Sequence, residues 1–335
     1  MKRIKTGLAL ILALIIVLSF SACSKDNSTI PSTDTASMPD SPSNKDSNNK
    51  DSKELLPEFD KSYDIEETLL TDTYEVRITA TQLSYSSSSV SISLRFENKS
   101  DANREVYAGT AGYGCNSING YMIHDGYLRR ELDPGATEED NISFSYDELF
   151  AHGIREIADI GIGFDIEDSD YHHEYSGMKT IKTKKAESYD YTEDTYIKIM
   201  KGSSLQNAYG VSIDDFSEQV LYTDSGVKLI SEAIATNKNG DRRLMLEFHN
   251  ESDQDLYVKL TGLTINKQEV STSFLASDLI CSNKRDVVSV SLNKYFEENT
   301  SLNNQEVQSI SFSVELTNLD SLSLSQKTSV TVEFL

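Results

Sequence analysis

"LRFENKSD" spans Leu94–Asp101 and "LEFHNESD" spans Leu246–Asp253. The second begins 152 residues after the first (246 − 94 = 152), and Leu, Phe, Asn, Ser and Asp recur at the same spacing. In "SVSISLRFEN", Val90, Ile92, Leu94 and Phe96 alternate with Ser91, Ser93, Arg95 and Glu97. A period of two places the apolar side chains on one face, which predicts a half-buried strand. "RRLMLEFHN" repeats the pattern with Leu244, Leu246 and Phe248. Both strands run into Asn-x-Ser-Asp, whose short polar side chains suit a turn. Asn98 and Asn250, although they head Asn-x-Ser sequons, therefore read as turn formers.

The correspondence extends outward. "YEVRI" matches "SGVKL", "REVYAG" matches "DLYVKL", and "SINGYMI" matches "TINKQEV". "EIADIGIGFDI" and "EVQSISFSVEL" carry the same alternation through Ile160, Ile162, Phe164 and Ile166, and through Ile310, Phe312, Val314 and Leu316. A last strand is expected at 178–183 and at 329–334. Each copy has one helical interruption. "SYDELFAHG" offers Ser145 as N-cap, Glu148 three residues on, and Gly153 as the stop. "LNKYFEEN" at 292–299 offers Asn293 as its cap. Turn signals at Asn119-Gly120, Asp133-Pro134-Gly135 and Asn239-Gly240 punctuate the strands. A period near 150 residues is too long for a solenoid and marks a duplicated domain. The expected fold is all-β: two tandem antiparallel immunoglobulin-like β-sandwich domains at 58–185 and 218–335, each with one short helix. Residues 186–217 read as a partly ordered connector, or an edge strand of the first domain, in which Ile197 and Ile199 could continue a strand.

The N-terminus has its own logic. "MKRIKTG" is basic, Leu8–Phe20 is apolar and short, and Ser21-Ala22-Cys23 follows. Residues 1–22 read as a signal peptide, and the small residues before Cys23 resemble the lipobox of bacterial lipoproteins. That resemblance implies lipidation of Cys23 and an extracytoplasmic chain anchored to the membrane, since two acyl chains anchor stably where one is marginal. Residues 23–57 carry the lipidated cysteine and a Ser/Asn/Asp/Lys/Pro-rich stretch expected to be a disordered tether. Its root-mean-square reach would be roughly 30 Å. A formal charge of −23 repels phosphate, so nucleic acid is not an expected partner. The expected partners are the membrane, through the lipid, and a protein of the envelope or outside the cell. Of three cysteines, Cys115 and Cys281 remain after lipidation and occupy non-equivalent places in the repeats. Two separately buried thiols are the first expectation and an inter-domain disulfide the alternative.

Taken together, the lipobox, the "L-x-F-E-N-x-S-D" strand, the Asn-Gly hairpin, the short helix and the "I-x-I-x-F" strand resemble tandem immunoglobulin-like domain lipoproteins of Gram-positive bacteria. The resemblance covers roughly residues 66–185 and 218–335 and implies no catalytic residues. The second copy departs from it at Asn266-Lys267, where another turn type is expected.

The chain shows no Gly-rich phosphate loop, no G-x-S-x-G, no H-E-x-x-H and no C-x-x-C. No catalytic residue and no cofactor are expected, and the reading is a non-enzymatic binding or scaffold module. In "DIEDSDYHHEY", Asp168, Asp170, His172, His173 and Glu174 offer carboxylate and imidazole ligands at a hairpin tip, the pattern of a calcium or transition-metal site. This is the basis of an alternative reading as a metal-dependent adhesin or ion sensor. The same residues would also serve as a solvated loop that discourages edge pairing. An envelope enzyme or enzyme accessory would have to use this cluster too. Seventeen Tyr and no Trp disfavour sugar stacking. Tyr107, Tyr113, Tyr121 and Tyr127 crowd one hairpin and form the expected protein-binding surface.

Overall fold

A computed structural model describes residues 58–109, 115–299, 301–302, 306–319 and 322–334. The leader, Cys23, the tether and Tyr113 lie outside the described residues. The first repeat runs β1 (Thr68–Thr73), β2 (Val76–Tyr85), β3 (Ser89–Asn98), β4 (Arg104–Ala108), β5 (Asn116–Ile118), β6 (Tyr121–Ile123), β7 (Leu128–Leu132), β8 (Thr137–Ser145), α1 (Tyr146–Ala151), β9 (Asp159–Ile162), β10 (Phe164–Asp168), β11 (His173–Tyr175) and β12 (Lys179–Lys182). After a 3₁₀ turn at Lys184–Glu187 come α2 (Thr195–Lys201) and α3 (Ser204–Tyr209). The second repeat follows as β13 (Ser212–Ser217), β14 (Tyr222–Asp224), β15 (Val227–Thr236), β16 (Arg242–Asn250), β17 (Leu256–Ile265), β18 (Gln268–Ile280), β19 (Lys284–Ser291), α4 (Asn293–Glu298), β20 (Ser309–Thr317) and β21 (Thr328–Glu333).

The fold is an all-β sandwich arrangement. One sheet of the first repeat is β1-β2-β3-β8, and β18-β17-β20-β21 is a sheet of the second. Val90, Ile92, Leu94 and Phe96 on β3, and Leu244, Leu246 and Phe248 on β16, are completely buried, as their alternation requires. The buried apolar side chains fall into two clusters, one under each repeat. They exchange members: Ala233 and Val287 join the first, Cys115 and Met122 the second.

Asn98 and Asn250 explain the repeated phrase. Asn98 is buried, and its Nδ2 donates to the carbonyls of Ala102, Leu132 and Asp133 while Oδ1 accepts from Ser100 N and Oγ. Asn250 does the same with the carbonyls of Gln254 and Ile280 and with Ser252 N and Oγ. One side chain thus satisfies several buried backbone groups that would otherwise cost free energy unpaired. A second pair of asparagines is also shared. Asn119 Nδ2 donates to Glu156 O and its Oδ1 accepts from Ala158 N and Asp159 N. Asn266 repeats this with Glu306 O, Gln308 N and Ser309 N.

Three expectations are corrected. Asn266-Lys267 uses the same turn as Asn119-Gly120: φ is positive at all four (51°, 90°, 48° and 66°), as a type I′ hairpin demands. A Cβ at Gly120 would meet nothing within 4 Å, so a side chain there would bring backbone strain but no clash at its Cβ. At α4, Asn293 is the first helical residue and not the cap. Its Oδ1 accepts Arg242 N and its Nδ2 donates to Asp241. Ser145, by contrast, caps α1 by accepting Glu148 N, and Gly153 follows at φ 73°.

The third correction concerns 186–217. Ile197 and Ile199 lie in a helix, α2, capped by Asp194, which accepts Ile197 N. Tyr196, Ile197, Ile199 and Met200 are its buried face, so helical burial overrides β-branched preference. Residues 212–217 then form β13, which pairs with β15 of the second repeat, not with the first.

The repeats are not cut alike either. β17 and β20 run unbroken, but their counterparts in the first repeat are split into β4 and β5, and into β10 and β9. β4 and β10 stay in the sheet β11-β10-β4-β7. β12, β9, β5 and β6 turn away and join the second repeat in a nine-stranded sheet, ordered β12-β9-β5-β6-β19-β16-β15-β13 with β14 also on β15. The junction is a parallel contact between β6 and β19 at Tyr121 and Arg285.

Candidate functional site at the joint

Tyr121 is buried at this junction, so it is not the exposed binding tyrosine the hairpin spacing implied. Its hydroxyl donates to Asp194 Oδ1 at 3.0 Å and accepts Thr195 N and Tyr196 N at the start of α2. Arg285 Nη1 donates to the same hydroxyl at 3.1 Å and to Asp194 Oδ2 at 2.8 Å. Glu247 on β16 is fully buried beside them, accepting from Ser231 Oγ at 2.7 Å. Burial, followed by the charge of Asp194, pushes its carboxyl up to about 8. It is thus held protonated where an ordinary carboxyl would be ionised. Tyr107 and Tyr127 lie on or beside the β4–β7 pair. Tyr107 stacks with Arg129, 5.6 Å from its guanidinium, and Tyr127 is 58% exposed.

Cys115 and Cys281 are not separately buried. Their Sγ atoms meet at 3.0 Å across the joint as free thiols, with Tyr175 Oη 3.1 Å from Cys115 Sγ. The hydrogen bond with Cys115, together with burial, pushes the Cys281 thiol far up, which makes it a poor nucleophile.

The loop cluster read as a metal site is divided between different partners. Asp168 accepts from Tyr74 Oη, from the backbone N–H groups of Asp170 and His172, and pairs with His172 Nδ1 at 3.1 Å. His173 turns to Asp165, 2.8 Å away, and Glu174 accepts from Thr73. Among the described residues, the three side chains whose ligand atoms converge are instead His124, Asp278 and Asp286, all within 4.8 Å of one another. His124 Nε2 is 2.9 Å from Asp286 Oδ1. The one sign of this in the sequence is Asp286 itself, an acid at an inward position of "RDVVSV" in line with Val288 and Val290. His124 carried no sign.

A cleft of about 480 Å³ opens beneath the connector, lined by Glu156, Lys185, Tyr189, Glu193 and Lys198 among others. Its lysines are already paired, Lys185 with Glu156 at 3.0 Å and Lys198 with Glu193. Among the described residues no helix is long and apolar enough to cross a membrane.

No family model matches the chain, and no curated protein matches its sequence. Solved structures give remote similarities. Red sea bream transglutaminase is 8% identical over 76% of this chain and 31% of that one, with a TM-score of 0.21. The GH2 β-galacturonidase of Eisenbergiella tayi is 10% identical over 74% and 36%, at 0.17. A protein of unknown function from Porphyromonas gingivalis W83 is 12% identical over 77% and 99%, at 0.19. The chain thus spans about a third of the length of the first two. At these TM-scores the likenesses do not bear on activity.

Proposed function

We propose that the chain is an extracytoplasmic lipoprotein, held to the membrane by lipidated Cys23, whose paired sandwiches act as a non-enzymatic binding or scaffold module of the cell envelope, with a protein as its partner. The observation that carries this reading is the β20–β21 tip. Asn318 there copies Asp168: its N–H donates to Leu322 O and its Oδ1 accepts Leu322 N, as Asp168 does with His172. Around that pair of bonds the second repeat presents Leu319, Leu322 and Leu324, which are 41, 62 and 42% exposed. Apolar side chains gathered on one exposed loop favour a protein partner. Tyr127, on the first repeat, adds an aromatic anchor of the kind that interfaces favour.

Cross-linking on intact cells followed by mass spectrometry tests the reading. A partner captured through Leu319, Leu322 or Leu324, and lost in Leu322→Asp, supports it. Failure to capture any partner under several growth conditions counts against it. For the anchor, Cys23→Ala is expected to move the chain from the membrane fraction to the medium. An unchanged membrane fraction would refute the lipid attachment.

A further inference from the structure

We propose that His124, Asp278 and Asp286 form a zinc site that clamps the two repeats together. The comparison between repeats carries it. In the first, Val106 on β4 faces Arg130, and Phe96 on β3 faces Glu138. In the second, the equivalent Val258 faces Asp278, and the equivalent Phe248 faces Asp286. Arg130 and Glu138 form an ion pair, Nε donating to Glu138 Oε2 at 2.7 Å. The second repeat puts two acids at the same two places. A cation between them relieves the repulsion of like charges so close, one of them wholly buried.

His124 reaches in from the first repeat towards both acids. It faces Asp286 and Asp278, with Glu148 of α1 behind them. Asp286 is 0% exposed, its Oδ1 already accepts Val287 N, and its Oδ2 is buried with no hydrogen-bond donor among the described residues. A divalent ion among these three side chains balances two carboxylates and occupies that orphaned oxygen. One imidazole nitrogen with carboxylate oxygens is a donor set that suits zinc better than calcium or magnesium. His124 is 39% exposed, which leaves a path for the ion. The site stands independently of the anchoring and binding roles proposed above.

Titration calorimetry of the chelator-stripped full chain with zinc chloride tests this. One ion per chain is expected, with proton release visible in buffers of different ionisation enthalpy. Affinity should fall by about a hundredfold or more in His124→Gln. Asp278→Arg rebuilds the first repeat's ion pair, so it should fold stably and lose zinc binding. His172→Gln with His173→Gln should leave binding unchanged. The site is refuted if the wild-type chain takes up no zinc, if Asp278→Arg or His124→Gln retains full affinity, or if the paired loop variant abolishes binding.

Discussion

Ser93, Arg95 and Glu97 line the outer face of β3, and Met245, Glu247 and His249 stand at the equivalent places on β16. On β3 that face meets water, and Arg95 pairs with the exposed Glu67 and with Glu97. On β16 the same face lies at the joint, and the residue equivalent to Arg95 is Glu247, fully buried and held protonated. The inner faces have hardly changed, because Phe96 and Phe248 fill equivalent places in close-packed cores that tolerate little alteration of volume. Nor have the turn asparagines, because each satisfies several backbone groups at once. An outer face answers only to what it touches. The two repeats therefore differ where one of them touches what the other does not, and the joint is that place.

The sharpest way to break this comparison is through the cores. Phe96→Ala and Phe248→Ala should each cost about 3–5 kcal/mol, the usual range for emptying a packed aromatic site. The nine-stranded sheet runs through both repeats. Both substitutions should therefore lower a single, shared urea transition followed by circular dichroism. Two separate transitions, each moved by one substitution, would mean that the joint does not couple the repeats. Asn98→Ala and Asn250→Ala come next, at about 2 kcal/mol each. Near-equal losses in the same unfolding assay would confirm that the two turns are one device used twice.

Glu247 gives the comparison a pH dependence. Its folded carboxyl titrates at about 8, against an ordinary value of 4.5. Between those values the folded state keeps a proton that the unfolded chain has released. Stability from this group is therefore full below about 4.5 and declines as pH rises towards about 8. Glu247→Gln keeps a neutral side chain at every pH and should flatten that decline in thermal melts taken across the window. A profile unaltered by Glu247→Gln would show that the buried acid is not held protonated.

Much of this fold was legible in the sequence because its signals are local. Alternation located β3 and β16, the capping box located the start of α1, and Asn-x-Ser-Asp located two turns. What escaped was either ambiguous over a few residues or not local at all. Ile197 and Ile199 sit two apart, which reads as strand. Only the contacts of Tyr196 and Met200, and the Asp194 cap, select helix. Tyr121 and Arg285 are joined across 164 residues, and nothing near either marks the other. His124 and the two acids give no signal for the same reason, and Tyr121 reads as a surface residue because Asp194 and Arg285, which hold its hydroxyl, are distant in the chain.

Lys267 offers the smallest and cleanest test. It holds φ 66° at the place where the first repeat has Gly120 at φ 90°. A side chain in the left-handed region costs about 1 kcal/mol, and glycine pays back part of any gain through its freer unfolded state. Lys267→Gly should thus stabilise the chain by no more than about 1 kcal/mol. Gly120→Lys should cost about the same, since a Cβ there meets nothing within 4 Å and backbone strain opposes it. Paired urea midpoints for the two variants would show shifts of opposite sign and similar size. If Gly120→Lys were instead far more damaging, the hairpins would not be equivalent, because the first lies at the joint, where Gly120 O accepts Arg285 N at 2.9 Å. That excess would measure how tightly the joint depends on this turn.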